Sequence, residues 1–346
     1  MKRKILILAE NMLNPEDAKT AIGALRYLSD EIVAVVDSSN SGKITGDVIG
    51  AGNQVPIVKS IEHGMAYNPD TLLIGIATTG GYLPNGWKES YITEAIERKL
   101  HIINGLHEFI SEDPKLKQLA ENNKVILNDL RKPKNNLHVA KGKWKEIDSK
   151  VVLTVGSTQS IGKMTALYEI YRHFKESSIK TDFIGTGQTG ILISGKGISV
   201  DAVVSDFIAG SIEEEIYQSS KENNELIFVE GQGALTHIGY SGVTLGLIHG
   251  SMPDAMIICH RSGHEYDEYG YKLPSLKDLI PLHENIISFF KPTKIVGIAL
   301  DTSLVSKEEA DKDIKLYDLE LNLPVTDCIR YGPEKLVDAI KTYLSL

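Results

Sequence analysis

The stretch VVLTVGSTQSIGKMTALYEIYRHF, residues 151–174, constrains this chain more than any other. An apolar run long enough for a buried strand enters Gly156, and Gly162-Lys163 stands immediately before a segment with Leu167, Ile170, Tyr171 and Phe174 at helical spacing. Strand, glycine loop and helix in that order predict a P-loop within a parallel α/β domain. Glycine lets backbone N–H groups converge on phosphate oxygens, the helix N-terminus adds positive potential, and Lys163 adds a full charge. The expected phosphate-binding set is Gly156, Ser157, Thr158, Ser160, Gly162, Lys163, Met164 and Thr165.

Two departures from G-x-x-x-x-G-K-[ST] matter. Five residues separate Gly156 from Gly162, and Met164 stands where a hydroxyl ordinarily holds Mg²⁺, with Thr165 one place later. A Mg²⁺ site would use Thr165 and Glu230; a phosphate site without a tightly held metal is the other expectation.

The rest of the chain alternates short apolar runs with helical patterns, which predicts two α/β domains. Strands are expected at Lys4–Leu8, Ile32–Val36, Thr71–Ile76, Leu100–Ile103 and Lys124–Leu127, with a helix over Pro15–Leu28. These make residues 1–130 a Rossmann-like parallel-sheet domain. After the first strand stands AENMLNP, not G-x-G-x-x-G, so ordinary NAD binding is not expected, although Asp37 ends the second strand where a ribose contact often sits. Ligands of such sheets gather at C-terminal strand ends, which singles out the loop ATTGGYLP, Ala77 to Pro84. Residues 131–150 carry seven basic side chains against two acidic ones and read as a linker, either solvated or facing a phosphate. The P-loop domain, 151–346, has further strands expected at Thr181–Ile184, Leu226–Val229, Ala255–Cys259, Lys294–Leu300 and Leu323–Val325, and a last helix from Pro333 to Leu344.

Three other features bear on chemistry. The loop GTGQTG, Gly185 to Gly190, follows a strand, and Gln188 and Thr189 are candidate substrate contacts. LIFVEGQGAL ends a strand in Glu230, a candidate metal-holding or proton-accepting carboxylate, with Asp206 as a second candidate base or a helix cap. Tyr240, Ser241 and Arg261 are candidate contacts to a small anion, Arg261 as a clamp. CHRSGH, Cys259 to His264, lacks the ligand spacing of a zinc site.

Thirty-seven Lys and Arg against 46 Asp and Glu, for a net charge of −9, disfavour a nucleic-acid partner. No apolar run reaches membrane-spanning length. Two cysteines make no disulfide framework, so a cytoplasmic location is expected.

The loop GSTQSIGKMT and the strand end VEGQG resemble those of dethiobiotin synthetase and its P-loop relatives. The order GKMT, GTGQTGILISG, VDAVVSDFIAG, VEGQGAL, YSGVTLGLIHGSMPDA, with ATTGGYLPNGW and INGLHEFISEDP before it, is similar to a two-domain P-loop family long without an assigned function. Some of its members are described as D-glutamate N-acetyltransferases. The resemblance covers nearly the whole chain. It implies phosphate binding by Gly156, Gly162, Lys163 and Thr165, and a substrate near Gln188, Glu230 and the loop from Tyr240 to Thr244. Asp301 stands where related P-loop proteins often carry a base-contacting Asn, a departure that weakens base recognition.

Three functions fit these residues. An N-acyltransferase would hold the phosphates of acetyl-CoA on the P-loop, use Glu230, Asp206 or Lys163 catalytically, and acetylate the amino group of an acidic amino acid. An ATP- and Mg²⁺-dependent ligase or kinase would use Lys163 on the γ-phosphoryl group. A nucleotide-dependent switch would be non-catalytic. For either enzyme the partner is a small-molecule substrate, and a homo-oligomer is expected.

Overall fold

In the computed structural model, residues 2–133 and 136–346 are described, apart from the side chain of Thr79. Lys134 and Asn135 of the basic stretch, and the Thr79 side chain of the loop from Ala77 to Pro84, lie outside the described residues. The chain forms two compact units, one of residues up to Pro133 plus 188–195, the other of the remainder.

The N-terminal unit is a six-stranded parallel sheet of β1 (Ile5–Leu8), β2 (Ile32–Val36), β3 (Ile57–Val58), β4 (Thr71–Ile74), β5 (His101–Asn104) and β6 (Leu127–Asp129). Its order is β3-β2-β1-β4-β5-β6, so the chain reverses direction across the sheet between β1 and β4. β1, ILIL, is buried on both faces, the expected state of a central parallel strand covered by helices. The helix expected from Pro15 begins at Lys19. The Asn14 side chain takes the N–H groups of Glu16 and Asp17, at 3.0 Å each, and holds the intervening residues in a turn. β6 starts later than the apolar pattern suggests, because Lys124 adopts a left-handed conformation that caps the helix Pro114–Asn123. β3 is only two residues long and has no readable alternation.

The helix Gln188–Ser194 belongs to this unit. The Oε1 of Gln188 accepts from Arg131 at 2.6 Å, and a Cβ at Gly23 would come within 2.4 Å of the Thr189 methyl.

The C-terminal unit is a second six-stranded parallel sheet: β7 (Lys150–Gly156), β8 (Thr181–Ile184), β9 (Leu226–Val229), β10 (Ala255–Arg261), β11 (Lys294–Asp301) and β12 (Val325–Thr326). The order β12-β11-β10-β7-β9-β8 places β7 between β9 and β10. Val151, Leu153 and Val155 face one apolar cluster and Val152 the other, so β7 is anchored from both sides. Much of the basic stretch is tied down rather than loose. Backbone N–H groups of Lys141, Gly142 and Lys143 converge on the buried Glu213 carboxylate of the helix Ser205–Lys221 at 2.6–2.9 Å. Among the described residues no helix is long and apolar enough to cross a membrane.

Candidate functional site: the P-loop at the end of β7

β7 delivers Gly156 to the C-terminal edge of its sheet, in register with Cys259 of β10. A Cβ on Gly156 would lie 2.9 Å from Ile161 and 3.2 Å from the Lys163 ammonium, so a side chain there would crowd the loop. The loop then needs two left-handed residues, Ser160 at φ +53° and Gly162 at φ +83°, to fold back over itself. The helix Lys163–Lys175 follows, with Leu167, Ile170, Tyr171 and Phe174 buried as their spacing predicts. Among the described residues no side chain caps its N-terminus. The first-turn N–H groups thus face outward with their share of the helix dipole, the arrangement an anion satisfies.

Lys163 is 7% exposed, and its Nζ donates to the Thr158 carbonyl at 2.7 Å. Burial drops its ammonium from an ordinary 10.5 to about 8, against opposing influences from Cys259 and Glu230. The Thr158 hydroxyl is buried with no hydrogen-bond partner among the described residues. An orphaned hydroxyl, a lysine satisfied by its own loop and an uncapped helix start meet within eight residues. Their chemistry fits a phosphate group, which would supply acceptors to all three.

The loop is braced from β10. Ser157 Oγ and His260 Nδ1 are 2.8 Å apart, both buried, and Ser157 N–H donates to the Cys259 carbonyl at 3.1 Å. Burial, then the neighbouring His264, pushes His260 down to about 4, so the imidazole is neutral at ordinary pH. Arg261, expected as an anion clamp, donates its Nε to Asp301 at 2.8 Å and an Nη to the Ser160 carbonyl at 2.6 Å. Asp301 sits opposite Arg261 in the β10–β11 register. Burial pushes its carboxyl upward, but hydrogen bonds from Ser303 and the charge of Arg261 outweigh this and hold it below the usual range. Cys259 lies beneath the loop, and burial raises its thiol to about 12. It is no nucleophile in this state.

Glu230 follows β9, which pairs directly with β7. Its Oε2 accepts the N–H groups of Thr186 and Gly187 at 2.8 and 3.2 Å, and its Oε1 accepts the Gln232 amide at 3.1 Å. The glycine loop after β8 is therefore fastened to this carboxylate. Gly231 is required next: its N–H donates to Thr154 Oγ1 at 2.9 Å, and a Cβ would stand 1.8 Å from the Thr154 carbonyl oxygen.

Among the remaining candidates, Met164 and Thr165 are half-buried in the first helical turn. Tyr240 is 40% exposed and stacks on His237 at 4.8 Å, and Ser241 opens the helix Ser241–Ser251. His237 Nε2 lies 2.8 Å from Glu268, whose same oxygen accepts from Gln159 of the P-loop. Asp206 is exposed in the first turn of Ser205–Lys221, and no hydrogen bond joins it to the loop among the described residues. Gln188 and Thr189 fall in the other unit. His260, Thr154 and Glu268 escape sequence reading as site residues, and Asp301, noted in the sequence only as a departure from a base-contacting Asn, is the partner of Arg261; the only signal for His260 is its place one residue before Arg261 at a strand end.

Residues 138–337 match a domain of unknown function described as DUF1611_C, a P-loop domain, and residues 38–133 match DUF1611_N, a Rossmann-like domain. The chain is 36% identical over 330 residues to a D-glutamate N-acetyltransferase of Tritonibacter scottomollicae, covering 93% of this chain and 94% of that one. It is 34% identical over 298 residues to a D-glutamate N-acetyltransferase of a Pseudoalteromonas species, covering 85% and 87%. A crystal structure of a DUF1611 family protein from Anabaena variabilis ATCC 29413 superposes with a TM-score of 0.93 at 34% identity, covering 99% of this chain and all of that one.

Proposed function

We propose that this chain, which belongs to the DUF1611 family of proteins with a Rossmann-like and a P-loop domain, is an N-acetyltransferase. The acetyl donor is acetyl-CoA and the acceptor is the amino group of an acidic amino acid, D-glutamate by the names of its relatives. What carries the reading on the structural side is the buried Lys163 behind an uncapped helix start and an orphaned Thr158 hydroxyl, a phosphate cradle, in a chain whose relatives are named for acetyl transfer.

In this scheme the loop of Gly156, Ser157, Thr158, Ser160, Gly162, Lys163, Met164 and Thr165 holds the donor's phosphates and does no phosphoryl chemistry. The acceptor must lose a proton to become nucleophilic. Its nitrogen then attacks the thioester carbonyl, the C–S bond breaks, and the thiolate leaves as coenzyme A. Glu230 is the proton acceptor in this reading, oriented by the N–H groups of Thr186 and Gly187. Arg261 acts by bracing Ser160 and Asp301, so its role is to position the loop. Cys259, neutral and buried, has no covalent part.

The test is direct. Purified protein is incubated with D-glutamate and either acetyl-CoA or ATP with Mg²⁺, and free thiol and phosphate are followed. Thiol release that requires the amino acid supports the transferase. Phosphate release that requires an added acid, with no thiol, replaces it by an ATP-dependent ligase using Thr165 and Glu230 for the metal.

A further inference from the structure

The N-terminal unit has a cleft of about 430 Å³ at the C-terminal ends of its strands, lined by Glu10, Met12, Pro84, Trp87, Ser90 and Tyr91 among others. Glu10 lies two residues beyond β1, and Pro84 ends the loop that follows β4. The cleft therefore lies where the strand order reverses, the position at which sheets of this kind take ligands, and its volume suits a small molecule.

Its chemistry is unlike that of the P-loop. Glu10 is 9% exposed. Its carboxylate accepts from Ser38 N–H at 2.8 Å, from the Ser38 hydroxyl and from the Asn11 amide at 3.1 Å. Among the described residues it has no cationic partner. Lys88, beside the cleft residue Trp87, points to Glu108 at 2.6 Å and Asp113 at 3.4 Å. The walls include Trp87, 6% exposed, with Tyr91 packed edge-on at 5.4 Å. Asp37, at the strand end where dinucleotide-binding domains often carry a ribose contact, is fully buried and accepts from Asn11 N–H, Ser39 and Asn40. Burial, then the negative charge of Glu10, raises the Tyr91 phenol above its ordinary range, so phenol and carboxylate share the same field.

We propose that this cleft is a second small-molecule site, specific for an organic ammonium carrying an apolar or aromatic body. A buried carboxylate lacking a counter-ion favours a cation, and indole and phenol rings favour both a cation and an apolar body. Among the described residues the lining holds no Lys, Arg or His, while Glu10 brings a negative charge, so the cleft disfavours carboxylates and phosphates. The amino-acid acceptor and acetyl donor of the P-loop reaction are both anionic and are not its ligands. Amine binding in this cleft is therefore independent of acetyl transfer at the P-loop.

The probe is phenethylamine, with phenylacetate and 2-phenylethanol as size-matched anionic and neutral controls. Trp87 is one of two tryptophans, so the full chain with Trp144→Phe reports the cleft by fluorescence. Saturable quenching by phenethylamine is expected, with a dissociation constant on the order of 1 mM, and none by phenylacetate. Glu10→Gln should weaken the amine about tenfold while leaving 2-phenylethanol unchanged. Should Glu10→Gln disturb folding, Asn85→Lys, at an exposed cleft position, supplies a competing ammonium and should also abolish amine binding. Equal responses to the three probes, an absence of saturation by about 10 mM, or full affinity in Asn85→Lys would overturn the proposal.

Discussion

Replacing Lys163 by Met is expected to stabilise the ligand-free protein while destroying its phosphate site. Burial lowers this ammonium from 10.5 to about 8. That drop is roughly 2.5 pH units at about 1.4 kcal/mol each, so keeping the charge in the loop costs about 3 kcal/mol. Methionine fills most of the same space without charge and gives up the hydrogen bond to the Thr158 carbonyl, worth about 1 kcal/mol. A net gain of about 2 kcal/mol remains near pH 7. Between about pH 8 and 10.5 the unfolded chain holds a proton on Lys163 that the folded chain has released. The wild type therefore gains stability as pH rises through that window, and its penalty is complete below it. The Met variant lacks this rise, so the two proteins should converge toward pH 10. Urea titrations at intervals from about pH 7 to about pH 10 read the difference as a shift in midpoint at constant slope. A Met variant less stable than wild type at neutral pH, or a difference that does not change with pH, would show that burial of the Lys163 charge carries no such cost.

Three further outcomes follow from the same geometry. His260 is pushed from 6.5 down to about 4, so the folded state loses stability, up to about 3 kcal/mol, as pH falls from the first value to the second; His260→Gln should remove that acid-side slope in denaturant midpoints. Gly231→Ala sets a methyl 1.8 Å from the Thr154 carbonyl oxygen and should cost at least about 1–3 kcal/mol while displacing Glu230, seen as a lower urea midpoint together with lost turnover. Cys259→Ala should keep most of the transferase activity, and iodoacetamide should leave the native wild type active, because the buried thiol titrates only at about 12.

Sequence and structure agree best where the physics is local. The apolar run before Gly156, the glycines and the spacing of Leu167, Ile170, Tyr171 and Phe174 are neighbours in the chain, so strand, loop and helix are legible together. Long-range pairings are not. Ser157 and His260 are 103 residues apart, and Gln159 and Glu268 are 109 apart, so neither contact leaves a pattern in the sequence. Glu230 stands out because an acid ending an apolar strand is conspicuous, whereas its partners, the N–H groups of Thr186 and Gly187, are backbone and carry no residue signal. The loop GTGQTG illustrates the hardest case. Its glycines mark a strand end correctly, but the helix that begins at Gln188 packs into the other unit, against Gly23 and Arg131, through contacts that composition does not encode.

In the proposed function the P-loop grips the phosphates of an acetyl donor. Acetyl-CoA and S-acetylpantetheine share a thioester and differ in those phosphates, so comparing their kcat/KM with D-glutamate as acceptor isolates the grip. The wild type is expected to prefer acetyl-CoA by about a thousandfold or more, and Lys163→Met to erase most of this preference. Equal use of the two donors by the wild type, or an unchanged preference in Lys163→Met, would contradict it.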